Sequence, residues 1–146
     1  MNGSIGRNGV PVMLKYLIGL LLILHGVVHL WYVVLSRGLV EFQPEMGWTG
    51  RSWLLSHVLS EGTTSLLASG LYVLATVGFV LGGVGYLAQL GWWPSVVMGS
   101  AIVSTIVIAL FWDGSWDMVV QKGLIGVAIN VAILLALTLT RSADGG

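Results

Sequence analysis

Leu14–Leu35 reads LKYLIGLLLILHGVVHLWYVVL, an apolar run that carries two histidines four positions apart. A bilayer core about 30 Å thick takes about 20 residues of helix. The apolar stretch from Val12 to Leu35 exceeds that length with one charge, Lys15, near its start, and so predicts a first membrane span. His25 and His29 fall about one helical turn apart on a single face, and Gly26 beside them leaves room for a neighbouring backbone. Toward the N-terminus the same face carries Leu22, Gly19 and Lys15, the spacing of a seam against other helices rather than against lipid. Both imidazoles are expected to face inward.

Ionisable side chains are costly inside a membrane, and histidine there serves metal binding, haem ligation or proton relay. The plainer reading is a neutral imidazole that satisfies itself with an interhelical hydrogen bond. His25 and His29 are thus the candidate metal ligands, with a metal or haem as the alternative to no cofactor at all. The spacing alone is unspecific: position 26 is Gly where a zinc hydrolase of the HExxH type needs Glu. Two histidines on one face of one helix cannot clamp both sides of a haem iron, and the later spans hold no histidine within the membrane.

Composition bounds the rest. The chain has 146 residues, 56% hydrophobic and 8% charged, with a mean hydropathy of +0.94; soluble domains carry about a quarter charged residues. Its solvent is the lipid bilayer. Formal net charge is zero and no Lys/Arg cluster exists, so nucleic acid is not a partner. The absence of cysteine removes disulfides, thiolate metal sites, iron–sulfur clusters and cysteine nucleophiles. Arg7 and Lys15 precede the first apolar run as in a signal peptide, but the run is too long and no small-residue cleavage site follows. An uncleaved span is expected.

Residues 1–11, Gly-rich and polar, predict a flexible N-terminal tail. A single four-helix transmembrane domain then covers 12–140, with spans at about 12–35, 65–87, 95–111 and 124–139, followed by a short polar tail over 141–146. The long connection Arg37 to Ser65 holds Glu41, Glu45, Arg51, His57 and Glu61, and loops of this kind collect function. Within it, Ser52–Leu59 (SWLLSHVL) predicts a short amphipathic helix at the interface, or else the first turns of helix two, with Trp48 and Trp53 at headgroup level. His57 and Glu61 are again i, i+4; such a Glu orients an imidazole or simply forms a solvated surface pair.

Span two contains the GxxxG pair Gly78 and Gly82, read as internal helix packing rather than a dimer contact. Gly91-Trp92-Trp93-Pro94 predicts a tight turn into span three. Phe111–Gly123 (FWDGSWDMVVQKG) places Asp113 and Asp117 around a Gly-Ser turn. A hard cation needs 6 to 8 oxygens and an EF-hand loop is missing, so turn and cap duty is expected of the pair. Asn130 is the one strongly polar residue of span four, and an amide at that depth needs a partner.

Four spans place both termini on one side. Counted inward from the other side, His29 lies about 9 Å deep, Tyr72, Asn130, Ser104 and Thr105 about 10 Å, and His25 about 15 Å. One polar group from every helix is expected in a shared layer, with His57, Glu61, Asp113 and Asp117 in the loops above it. Basic residues divide three and three between the two sides (Arg7, Lys15 and Arg141 against Arg37, Arg51 and Lys122). The flank of the first helix then favours cytoplasmic termini in the cell membrane.

The segments LLILHGVVHL, RSWLLSHVLSEG, LYVLATVGFVLGGVGYL and FWDGSWDMVVQKGLIGVAINVAILLAL together resemble a widespread class of small, uncharacterised four-span prokaryotic membrane proteins. In size and layout these are similar to the DoxX-like group. The resemblance implies a four-helix membrane fold and hints at redox partnership, but carries over no catalytic residue; no cysteine or cofactor motif accompanies it here. No complete catalytic constellation, inverted repeat or nucleophile setting is evident. The sequence therefore reads as a noncatalytic multi-pass protein, an accessory subunit or apolar-ligand module, alone, as a homo-oligomer or in a larger membrane complex. The alternative is a His-based metal or haem redox protein.

Overall fold

The computed structural model describes residues 11–37, 39–40, 51–117 and 119–144. Expectations for residues 1–10, Glu41, Glu45, Trp48 and the last two residues fall outside that range. The described chain forms four helices, α1 (Val12–Ser36), α2 (Glu61–Leu87), α3 (Trp93–Leu110) and α4 (Ile125–Asp144). Each of the four is long and apolar enough to cross a bilayer. The protein is a multi-pass membrane protein with an all-α four-helix bundle.

Helix boundaries follow local chemistry. Ser60, in extended conformation, caps α2 by accepting a 3.2 Å bond from the Thr63 amide, and Glu61 occupies the electropositive first turn. The second helix thus starts at Glu61, four residues before the expected start of the span at Ser65, because the Ser60 cap sets its first turn. At its other end Gln89 takes φ +58°, and the bonds from the Gln89 amide to the Tyr86 carbonyl (3.1 Å) and from Leu90 to Gly85 (2.9 Å) close a Schellman motif on a residue other than glycine. Pro94 sits in the first turn of α3, where its missing amide proton costs nothing. α4 runs on through Asp144, so the polar segment Arg141–Asp144 extends the last helix; Arg141 donates to Ser95 Oγ at 3.1 Å.

Consecutive helices are antiparallel neighbours: α1 packs on α2, α2 on α3 and α3 on α4. Glycines set the two closest seams. A Cβ on Gly26 would lie 2.7 Å from Phe79 Cβ and 3.1 Å from the Thr76 carbonyl, and one on Gly83 would lie 3.0 Å from the Gly19 carbonyl, so α1 and α2 meet nearly backbone to backbone. Gly78 and Gly82 receive Ser100 and Val97 of α3 in the same way. The GxxxG pair is therefore consumed inside the bundle. α1 and α4, by contrast, do not pack along their lengths.

The apolar interior forms two clusters. Tyr32, Ala68, Tyr72, Val107, Ile108 and Phe111 lie toward the long connection, and Leu22, Phe79, Val97 and Ala101 toward the termini. Over the first cluster, Ser52 Oγ donates to the Leu110 carbonyl (2.6 Å), the Trp53 indole to Ala109 (2.9 Å) and the Trp53 amide to Trp112 (2.8 Å). The first two bonds satisfy orphan carbonyls of the last turn of α3, and the third ties the loop beyond it. The short helix expected over Ser52–Leu59 reduces to a single 3-10 turn, Leu55–His57, because the stretch is committed to capping α3.

Candidate functional site

Between the two apolar clusters four polar side chains from three helices meet. His25 and His29 come from α1, Ser104 from α3 and Asn130 from α4; Ser104 and Asn130 are fully buried. Their heavy-atom separations are short: His25 Nε2 to Asn130 Oδ1 2.8 Å, Asn130 Nδ2 to Ser104 Oγ 2.8 Å, Ser104 Oγ to His29 Nε2 2.5 Å, and His29 Nδ1 to the His25 carbonyl oxygen 2.8 Å. The last bond returns to the residue where the first began. The four bonds form a closed ring.

One fixed group determines every proton in that ring. The His25 backbone carbonyl can only accept, so His29 Nδ1 carries the hydrogen. A neutral imidazole then offers a lone pair at Nε2, which requires the Ser104 hydroxyl to donate to it. Ser104 Oγ in turn accepts from the Asn130 amide nitrogen. That leaves Asn130 Oδ1 facing His25, whose Nε2 must donate. Reversing the asparagine would make both nitrogens of His29 donors and place an imidazolium in the membrane interior, at high cost. The ring therefore runs in one direction with His29 neutral, and the cost of a charge at this depth keeps His25 neutral as well. A carboxamide has no proton to pass on at physiological pH, so Asn130 orients this chain and interrupts proton relay along it.

Aromatic contacts fix the two imidazoles. The Phe79 ring stacks on His29 (centroids 5.7 Å apart, 26° between planes) and meets His25 edge-on at 4.7 Å. Tyr72 approaches His29 at 6.2 Å and stacks on Tyr32 at 5.1 Å. Thr105, expected in the same layer, instead bonds back to the Ala101 carbonyl at 2.8 Å within its own helix; it lies one position, and so about 100° of helical rotation, from Ser104.

Beside the ring, where α1 and α4 stand apart, lies a cleft of about 820 Å³. Leu17, Leu20, Leu21, Leu24 and Val28 of α1 and Ile125, Gly126 and Ile129 of α4 form its sides, with His25 and His29 on its floor and Tyr32 and Gly123 toward one end. Its volume falls within the range of small-molecule sites, about 300–1,000 Å³. Gly123 shapes that end: it has φ +119° within the π-turn Val120–Leu124, and a Cβ there would come within 2.7 Å of Ile108. A left-handed backbone in this space admits only glycine. The Tyr32 hydroxyl donates to the Gln121 carbonyl of the same turn at 3.1 Å.

The loop candidates separate. His57 and Glu61 are not a pair: Ser60 breaks the helix between them, and Glu61 faces Arg51 at 3.6 Å with both side chains exposed. Asp113 accepts from the Ser115 amide (2.9 Å) and pairs with Lys122 Nζ at 2.8 Å, both side chains 9% exposed. Asp117 accepts from Ser115 Oγ at 3.3 Å. The two carboxylates thus hold a turn and the start of α4, and no three His, Cys, Asp or Glu side chains group as a metal site among the described residues. Tyr32, Phe79 and Lys122 escaped sequence reasoning. Tyr32 was within reach, being three positions beyond His29 on the histidine stripe, whereas the partnership of Lys122 with Asp113 depends on how the loop closes.

No protein-family profile matches the chain, and no curated protein or solved structure matches it significantly. The DoxX-like resemblance rests on size and layout alone.

Proposed function

We propose that this membrane protein is noncatalytic and takes an apolar molecule from the bilayer into the α1–α4 cleft, the His25–Asn130–Ser104–His29 ring serving as a rigid polar floor. The observation that carries this reading is the coincidence of the cleft with the ring. Helices elsewhere in the bundle close on glycines, yet here the walls stay apart and end on ordered polar groups. Apolar walls with a few fixed polar groups are the usual composition of a ligand site. Three of the four imidazole nitrogens are engaged by protein atoms, which suits a positioning role.

The test is to extract the protein with its surrounding lipid into polymer nanodiscs and identify bound small molecules by mass spectrometry, beside Leu24→Trp. Leu24 is a cleft residue 54% exposed, so a larger ring there fills the cleft without entering the core. An apolar molecule retained by the wild type and lost from a folded Leu24→Trp protein is the expected result; equal retention by both rejects the reading. Visible absorbance and metal content of the same preparation, beside His25→Ala/His29→Ala, decide the alternative. A stoichiometric chromophore or metal lost from the folded double variant would make the protein a His-based cofactor carrier.

A further inference from the structure

We infer that the molecule taken into the cleft carries a hydroxyl group, or a similar neutral hydrogen-bond donor, which it gives to His25 Nδ1. The inference rests on the reading of the cleft as a ligand site and specifies the ligand's chemistry. In the closed ring His25 Nε2 is the donor, so a neutral imidazole leaves Nδ1 as a bare lone pair. Nδ1 has no hydrogen-bond partner among the described residues. No buried side-chain nitrogen or oxygen there lacks a partner, so this atom keeps accessible surface. His25 is 8% exposed and lines the cleft. Its remaining surface opens onto the cleft floor.

The chemistry of the complement follows. A ketone, ester or ether oxygen would set one lone pair against another. A carboxylate would bring an uncompensated charge into a site whose other lining groups are aliphatic, glycine, His29 and Tyr32. Water could donate, but ordered water needs two to four polar partners. His29 is fully engaged, and Tyr32 lies seven residues further along α1, about 10 Å away. A hydroxyl on an apolar body meets both demands, because its oxygen reaches Nδ1 while its hydrocarbon lies along Leu24, Leu21, Leu20 and Leu17. That wall continues from His25 for about 12 Å. The occupant is therefore a bilayer alcohol, of aliphatic, isoprenoid or phenolic type, rather than an ester-headed lipid or a second copy of this chain.

The experiment uses the full chain in nanodiscs with imidazole-15N histidine, titrated with 1-dodecanol or with its methyl ether. The protein holds three histidines, so His57→Gln and His29→Gln spectra assign His25. Before any addition, His25 Nδ1 should resonate as an unprotonated nitrogen and Nε2 as a protonated one. The alcohol should shift the Nδ1 signal and bind about tenfold more tightly than the ether, the value of one well-placed hydrogen bond. His25→Phe should bind the two probes alike, followed through the ring nitrogens of His29, which also lines the cleft.

Equal affinity of alcohol and ether in the wild type would overturn the inference and leave the cleft reading standing. Failure of both probes to bind would overturn the two together. A spectrum with the hydrogen on His25 Nδ1 would overturn the inference without reference to any ligand or variant. A concentration-dependent dimer that Leu24→Trp dissociates would assign the cleft to a second chain and overturn it as well.

Discussion

The seam between α1 and α2 and the gap between α1 and α4 use opposite physics around one shared helix. Against α2, α1 presents Gly19 and Gly26, and the two backbones approach until a single methyl group would clash. Against α4, the same helix presents leucines to an open cleft and makes a polar bridge, His25 to Asn130. In lipid, burying apolar side chains brings no hydrophobic gain between helices, so association depends on close packing and hydrogen bonds. The first seam relies on packing and the second on a hydrogen-bonded ring. Where packing is given up, the molecule gains a cavity with a fixed floor.

The largest effect is expected at the far end of the open side. Lys122→Met leaves Asp113 buried without its cation, a loss of about 3–5 kcal/mol. Denaturant titration of helicity in detergent should show it, with α4 detaching before the rest. Wedging the tight seam open should rank next. Gly26→Leu drives a side chain into Phe79 and the Thr76 carbonyl, and overpacking of this kind costs about 1–3 kcal/mol or more.

The ring itself sharpens the comparison. Asn130→Leu strands the His25 Nε2 donor and removes one of the two bonds of Ser104 Oγ, which still donates to His29, a penalty of about 1–3 kcal/mol, and should widen the α1–α4 gap while leaving α1–α2 distances unchanged. Because the chain has no cysteine, spin labels at Leu20→Cys and Leu135→Cys report that separation directly. If the gap stays the same, the bridge does not hold the two helices together. The smallest effect lies away from both seams. Gln89→Gly removes a left-handed side chain at the end of α2 and should raise stability by about 1 kcal/mol, read as an upward shift of the thermal midpoint.

Much of this was legible before folding because it depends on spacing along one helix. The seam face Lys15–Gly19–Leu22–His25–His29 follows from a 3.6-residue period, and both Gly19 and Leu22 are buried where the period puts them. Depth counting placed Ser104 and Asn130 near the histidines, since rise per residue is fixed. Depth does not give azimuth, however. It could not separate Ser104, which enters the ring, from Thr105, which bonds within its own helix. The loop resisted reading for a related reason: His57 and Glu61 have helical spacing, but a cap at Ser60 ends that register.

The sequence by itself determined that this protein lives in a bilayer with four helices and that its few interior polar groups lie at similar depths, because hydrophobic length and helical rise are local properties. The tertiary structure alone decided which of those groups touch, the direction of the hydrogen bonds among them, and that α1 and α4 stay apart. Those outcomes depend on rotation of helices about their own axes and on the balance of packing across seams. Neither is encoded in any one segment, and both are set only when glycine contacts, the Lys122–Asp113 pair and the polar ring are satisfied together.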